Sequence, residues 1–169
     1  MRKRNQAAAL PLRLKKSGTV KILLVTSRDT GRWVLPKGWI EKGLKPHEAA
    51  AREAEEEAGV RGRIDDQAIG TFSYAKVLDR KTVQPVEVSV FPLYVCEVKD
   101  TWPEAGARKR RWVTPEQAAE LVAEPGLASI FDELDDVLGD VLERLDFEEK
   151  PPIERSLGPY PKAADPKLD

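Results

Sequence analysis

The chain has one cysteine and one histidine in 169 residues, and each scarcity narrows the chemistry available to it. Cys96 alone cannot close an internal disulfide, and its place in the apolar run VFPLYVCEV marks it as strand filler rather than a nucleophile. His47 is the only histidine. The sequence also lacks a G-x-S-x-G elbow and a P-loop, so neither a serine hydrolase nor a P-loop nucleotide site is expected. No stretch approaches the roughly 18 apolar residues of a membrane-spanning helix. The opening MRKRNQAAALPLRLKK has an apolar segment too short and too interrupted for a secretory signal, so a cytoplasmic location with no membrane partner is expected. With 28 basic and 29 acidic residues the net charge is −1, without the basic surplus of a general nucleic-acid binder. Any polyanion must therefore be held by a local patch. No internal repeat is visible.

What is present fits a single folded unit. The composition is 41% hydrophobic and 34% charged. Strand character appears in AAALPLRL, in TVKILLVTS, briefly in GRWVLP, in RGRIDDQAIGTFSYAKV, in VEVSVFPLYVCEV and in KRRWVTP, with RKTVQP as a turn or loop. A helix is predicted from Lys45 to Ala58, with Pro46 in its first turn and Gly59 placed to end it. Two late helices follow: TPEQAAELVAE, capped by Thr114, and the amphipathic LASIFDELDDVLGDVLERL. The expected fold class is α/β, a mixed β-sheet flanked by helices. Residues 1–149 form the domain, and the proline-rich 150–169 reads as a poorly ordered or surface-draped tail.

The stretch AAREAEEEAGV crowds four glutamates into five positions on the predicted helix. Like charges at helical spacing repel, so the cluster is either a solvated face or a cation site. At about 100° per residue, Glu53, Glu56 and Glu57 share one arc and Glu55 faces away. Ala51, Ala54 and Ala58 make a small-residue stripe that lets the helix lie close to a sheet, and His47 falls on the same side, which suits packing or capping. Arg52 can bridge Glu48 and Glu56. Three carboxylates on one helical face suit a hard divalent cation such as Mg²⁺. Upstream, WVLPKGWIEKG leads into a predicted glycine turn where the backbone of Gly38 can approach a ligand.

Gly38, Arg52, Glu53, Glu56, Glu57 and Gly59, with Ala54 and Val60 at aliphatic places, match G-x5-E-x7-R-E-U-x-E-E-x-G-U, where U is aliphatic. The stretch resembles the Nudix box, and the element order is compatible with the Nudix α/β/α sandwich. Leu44 departs from the pattern where the box has glutamate, and Glu41 stands three residues earlier as a substitute. The resemblance implies a hydrolase that cleaves diphosphate linkages by attack of water with Mg²⁺, or Mn²⁺ in its place. By position it implies Glu53 and Glu57 as metal ligands with the Gly38 carbonyl, Glu56 as general base or a further ligand, and Arg52 as part of the catalytic set.

LLVTSRDTGRWVLPKG and DTWPEAGARKRRWVTPEQA are similar to the branch that acts on diphosphoinositol polyphosphates and dinucleoside polyphosphates. That likeness implies Ser27, Arg28, Lys37, Trp39, Arg108 and Arg110 at the substrate, a small-molecule polyphosphate. Two alternatives stay open: removal of 5′ pyrophosphate from RNA or hydrolysis of another nucleoside-diphosphate conjugate, and a Nudix-fold binding or regulatory protein of weak activity, favoured by Leu44 alone. Nucleic acid is the less expected partner, and a monomer is slightly favoured.

Overall fold

The structure, a computed structural model, describes residues 4–145; the proposed tail lies outside the described residues. Two long strands form its spine. β1 (Arg4–Leu14) runs parallel to β7 (Val83–Val98), from Arg4 beside Val86 to Leu12 beside Tyr94. Shorter strands join the spine at different ends. β2 (Val20–Thr26) and β4 (Lys37–Trp39) pair antiparallel with the two ends of β1. β5 (Val60–Ile64) and β6 (Gly70–Val77) pair antiparallel with the two ends of β7. β3 (Trp33–Val34) and β8 (Arg110–Val113) complete the eight-stranded mixed sheet by pairing with β2.

Because side chains alternate across a strand, the spine feeds two cores. Ala7, Ala9, Phe91, Leu93 and Val95 turn to one face and pack against Ala49, Ala50, Ala54 and Ala58 of α1 (Pro46–Glu53) and its continuation. Ala8, Leu10, Val86, Val88 and Val90 turn to the other, where α2 (Pro115–Leu121), α3 (Pro125–Asp132) and α4 (Leu134–Arg144) bring Ala118, Leu127, Ile130, Phe131, Leu134 and Val141. The result is helix, sheet and helices in three layers, as expected. Among the described residues no helix is long and apolar enough to cross a membrane.

Three local expectations are corrected. Val83, Gln84 and Pro85 of RKTVQP belong to β7, and the turn is closed by the Leu78 N–H donating to the Thr82 carbonyl. Pro85 is tolerated because β1 joins β7 only from Val86 onward, so its missing N–H leaves no rung unpaired on that side. The second late helix is two, α3 and α4, separated at Glu133, which lets each lay its own apolar face on one core. Gly38 sits not in a turn but in β4, opposite Ala7. Thr114 does cap α2, accepting from the Gln117 N–H at 3.1 Å while the Gln117 side chain accepts from the Thr114 N–H at 2.9 Å. Cys96 is buried in β7, as strand filler should be.

Candidate metal and anion site

The helix begins as the sequence suggests and ends differently. Pro46 opens α1, and the Glu48 carboxylate accepts from the Lys45 N–H at 2.8 Å. From Ala54 to Ala58 the helix widens into a π turn, closed by Gly59 in the left-handed conformation at φ 67°. Such turns recur at functional sites because they re-aim side chains and release carbonyls from the helical ladder. Each released carbonyl here is met from the segment that follows β7. The Glu56 carbonyl accepts from the Glu104 N–H at 3.1 Å, and that of Glu57 from the Trp102 indole at 2.9 Å. That of Ala58 accepts from the Arg110 guanidinium at 2.8 Å, and that of Gly59 from the Lys99 N–H at 2.8 Å.

The π turn also regroups the glutamates. Glu53 and Glu57 come together and share a side-chain hydrogen bond, whereas Glu55 turns away to Lys99 at 2.8 Å. The buried stripe is Ala49, Ala50, Ala54 and Ala58; Ala51 is only half-buried, which corrects the stripe drawn from ideal α geometry. His47 lies tilted against Phe91, in the packing role expected of it. Arg52 pairs with Glu41 at 2.8 Å rather than bridging Glu48 and Glu56. Glu41 therefore supplies from the loop a carboxylate that Leu44 cannot, while Leu44 packs against the α1-side core.

Glu53 and Glu57 line a pocket of about 410 Å³ whose walls also hold Ser27, Arg28, Lys37, Gly38, Trp39 and Arg108. Glu57 is buried and held from two sides: the Lys37 N–H donates to it at 3.2 Å, and Arg108 approaches at 3.4 Å. Burial pushes the Glu53 carboxyl up to about 8, helped by its hydrogen bond to Glu57 and by the charges of Glu57, Glu56 and Glu104. Burial also raises Glu57, against the opposing pull of Arg108 and the Lys37 N–H. Without a cation the pair thus favours sharing a proton.

Of the residues expected at the site, Arg52, Glu56 and Arg110 do not line this pocket. Arg110 is spent on the Ala58 and Lys99 carbonyls and stacks 4.0 Å from the Trp102 ring, so it secures the helix end instead of a substrate. Arg108 lines the pocket, but its guanidinium is committed to Glu104 at 2.7 Å, the Thr26 carbonyl at 2.9 Å and Glu57. It positions Glu57 rather than waiting for a ligand. Ser27 folds its own loop, accepting from the Thr30 N–H at 3.1 Å. Sequence reasoning missed Gln6, Tyr74 and Lys76, which also line the pocket. Only the pairing of β1 and β6 to β7 brings them there, and no local pattern encodes that register.

The residues present fit a hard divalent cation. Two desolvated carboxylates face each other beside Gly38, where a Cβ would meet the Glu53 Cδ at 2.5 Å, so the glycine keeps open the space the carboxylates occupy. Among the described residues no group of three or more acidic, histidine or cysteine side chains stands ready for a metal. Backbone, water and substrate oxygens would fill the remaining positions, which is how Mg²⁺ is commonly held.

Comparison with known proteins places the chain in a family. The chain is 36% identical over 109 residues to "Nudix hydrolase 16, mitochondrial" of Arabidopsis thaliana, covering 63% of this chain and 60% of that one. It therefore spans less than two thirds of that relative's length. It is 34% identical over 121 residues to "Diphosphoinositol polyphosphate phosphohydrolase 3-alpha" of Mus musculus, covering 70% and 69% of the two chains. In fold it is similar to a C. elegans Ap4A hydrolase binary complex, with a TM-score of 0.63, 20% identity and coverage of 81% and 98%. The NUDIX domain profile matches residues 3–134, which include every strand and the paired glutamates of the π turn, and the chain belongs to the Nudix hydrolase family.

Proposed function

We propose that the protein hydrolyses a diphosphate linkage in a small polyphosphate, a dinucleoside polyphosphate or a diphosphoinositol polyphosphate, with Mg²⁺. The observation that carries this reading is the Glu53–Glu57 pair beside Gly38 in a pocket that also holds Arg28, Lys37 and Lys76. Such a pocket offers one place for a cation and, beside it, several for an anion. The names of the mouse relative and of the nematode structure point to the same substrates.

Glu53 and Glu57 would hold the cation, and Arg108 with the Lys37 N–H fixes Glu57 so that its oxygens do not wander. When bound, Mg²⁺ cancels charge on the phosphate oxygens and makes a water easier to deprotonate. Arg28, Lys37 and Lys76 orient the polyphosphate chain. Glu56 is proposed as general base from its place in the box alone: its charge acts on Glu53, but its side chain does not line the pocket. The Arg52–Glu41 ion pair links the loop before α1 to the helix on its exposed side, and the preference for a working hydrolase over a binding protein despite Leu44 rests on the Glu53–Glu57 pair.

The test is a hydrolysis screen of diadenosine polyphosphates, diphosphoinositol phosphates, ADP-ribose, nucleoside triphosphates and 5′-triphosphorylated RNA with Mg²⁺. Activity on a polyphosphate, abolished by removing divalent ions and rising toward alkaline pH, is expected. Full activity without divalent ions would reject the reading, and preference for the RNA would move it to the alternative. The cytoplasmic location rests on composition, and the monomer is proposed with it.

A further inference from the structure

We infer that the tip of the β6–β7 hairpin is a peripheral docking surface for an anionic phospholipid bilayer, with Val77, Leu78 and Val83 entering the interface and Arg80 and Lys81 meeting the lipid phosphates. The inference goes beyond the hydrolase reading and does not depend on it.

Among the described residues the large hydrophobic side chains left exposed are Val77 at 70%, Leu78 at 51% and Val83 at 47%, and all three stand on this one tip. Scattered exposed aliphatics need no explanation, whereas a cluster marks a contact surface. The strand register gathers them. Val77 pairs with Val83 and Ala75 with Pro85, and paired residues turn to one side of a sheet. The ribbon thus carries an apolar stripe on one face. Lys76 pairs with Gln84 and turns the other way, toward the pocket it lines.

The tip stands away from the body. β1 joins β7 only from Val86 onward, so among the described residues Val83, Gln84 and Pro85 have β6 as their strand neighbour and no other. The turn is held by its own backbone and one side chain. The Leu78 N–H donates to the Thr82 carbonyl at 2.9 Å, and the Asp79 carboxylate accepts from the Lys81 and Thr82 N–H groups at 2.8 Å each. Asp79 is therefore spent on the turn. Arg80 and Lys81 are exposed and make no ion pair among the described residues, so the end of the hairpin offers aliphatic side chains beside two free cations.

That combination suits an anionic bilayer. Aliphatic side chains enter the boundary between headgroups and acyl chains, basic ones meet the negative surface, and stable attachment takes two such signals together. A protein partner fits less well. A standard protein interface takes about 20–30 residues a side, more than the short projecting span from Val77 to Val83 can offer. A second copy meeting it tip to tip would set Arg80 and Lys81 against their own like charges. Peripheral contact of this kind needs no spanning helix.

The test is sedimentation of the full chain with vesicles of phosphatidylcholine alone and with about 30% phosphatidylserine, at about 50 and 200 mM salt. Wild type should bind the mixed vesicles, stay in solution with the neutral ones and lose affinity with salt. The double variants Val77→Thr/Leu78→Gln and Arg80→Gln/Lys81→Gln should each bind at least about tenfold more weakly, the second with little salt dependence left. Both should hydrolyse a soluble substrate as wild type does, because none of these four side chains lines the pocket. A wild type that ignores the mixed vesicles, or variants that bind them as well as wild type, would overturn the inference. So would a wild-type dimer in ultracentrifugation that Val77→Thr/Leu78→Gln dissolves, since the stripe would then belong to a second copy.

Discussion

A methyl group on Gly38 would sit 2.5 Å from the Cδ of Glu53. The obstructed atom belongs to a flexible side chain, so Gly38→Ala should leave the fold standing and push the carboxylate out of place. We expect a melting temperature within a few degrees of wild type and a loss of at least about 10²-fold in kcat/KM. Gly62 makes the useful contrast. A Cβ there would run into the backbone carbonyl of Tyr94, at the register shift between Arg61 and Gly62, so Gly62→Ala should lower the melting temperature sharply. Equal melting temperatures for the two variants would contradict this division between site and scaffold.

The charge state of Glu53 gives a pH signature. Its folded value of about 8 lies above its ordinary 4.5, so the fold favours the protonated form. That contribution is fully present below about pH 4.5 and is lost as pH rises through about 8. The metal-free protein should therefore melt at a lower temperature at about pH 9 than at about pH 6, and Mg²⁺ should raise the melting temperature more at the higher pH. Glu53→Gln should flatten the metal-free dependence while reducing the rate at least about 10²-fold. Glu57→Gln should raise the Mg²⁺ concentration needed for half activity, whereas Glu56→Gln should lower kcat with little change in that concentration. Measuring rate against Mg²⁺ for the two separates ligand from base.

At the scale of the element, the helix bearing the glutamates is shaped as much by the segment after β7 as by its own residues. Trp102, Glu104 and Arg110 take the carbonyls that the π turn sets free, and Arg108 ties the end of β2 to Glu57 and Glu104. The Arg108 side chain is only 11% exposed, so its removal takes the one nearby cationic side chain from buried Glu57 and the ion pair from half-buried Glu104. Arg108→Gln should cost about 3 kcal/mol of stability in denaturant unfolding, and Arg108→Lys should recover only part, because an ammonium cannot serve three separate acceptors in a fork. Indistinguishable stabilities would show that the guanidinium braces nothing.

These elements also show where sequence was sufficient. Pro46 and Gly59 marked the ends of the helix because capping chemistry is local. The Thr114 cap was legible for the same reason. The π turn was not, since an even 100° per residue hides an extra residue in the turn, and this displaced the alanine stripe and separated Glu56 from the pair. RKRR read as a basic cluster near the substrate, yet strand alternation sends Arg110 to the helix end, and three buried acceptors claim Arg108. A run of like residues gives charge but not direction.

For the whole molecule, the prominent cations around the pocket suggest that function depends on ionic strength although the net charge is −1. KM for a polyphosphate should rise with salt between about 50 and 200 mM, and that for ADP-ribose less. Equal slopes would place the recognition elsewhere. The three-layer class was legible because alternation and helical periodicity survive in each segment. The pairing of β1 with β7 was not, as nothing in either strand names its distant partner.

That pairing has a consequence in time. Arg4 lies beside Val86 and Leu12 beside Tyr94, so during synthesis β1 must wait for five further strands and the whole box before its parallel neighbour exists. Such long-range parallel contacts are slow to form and leave strand edges open meanwhile. A nascent chain halted before Val83 should remain sensitive to protease along β1 and the glutamate helix, and one extended past Val113 should become resistant in both together. Resistance appearing earlier would mean that the box can assemble without the strand that now backs it.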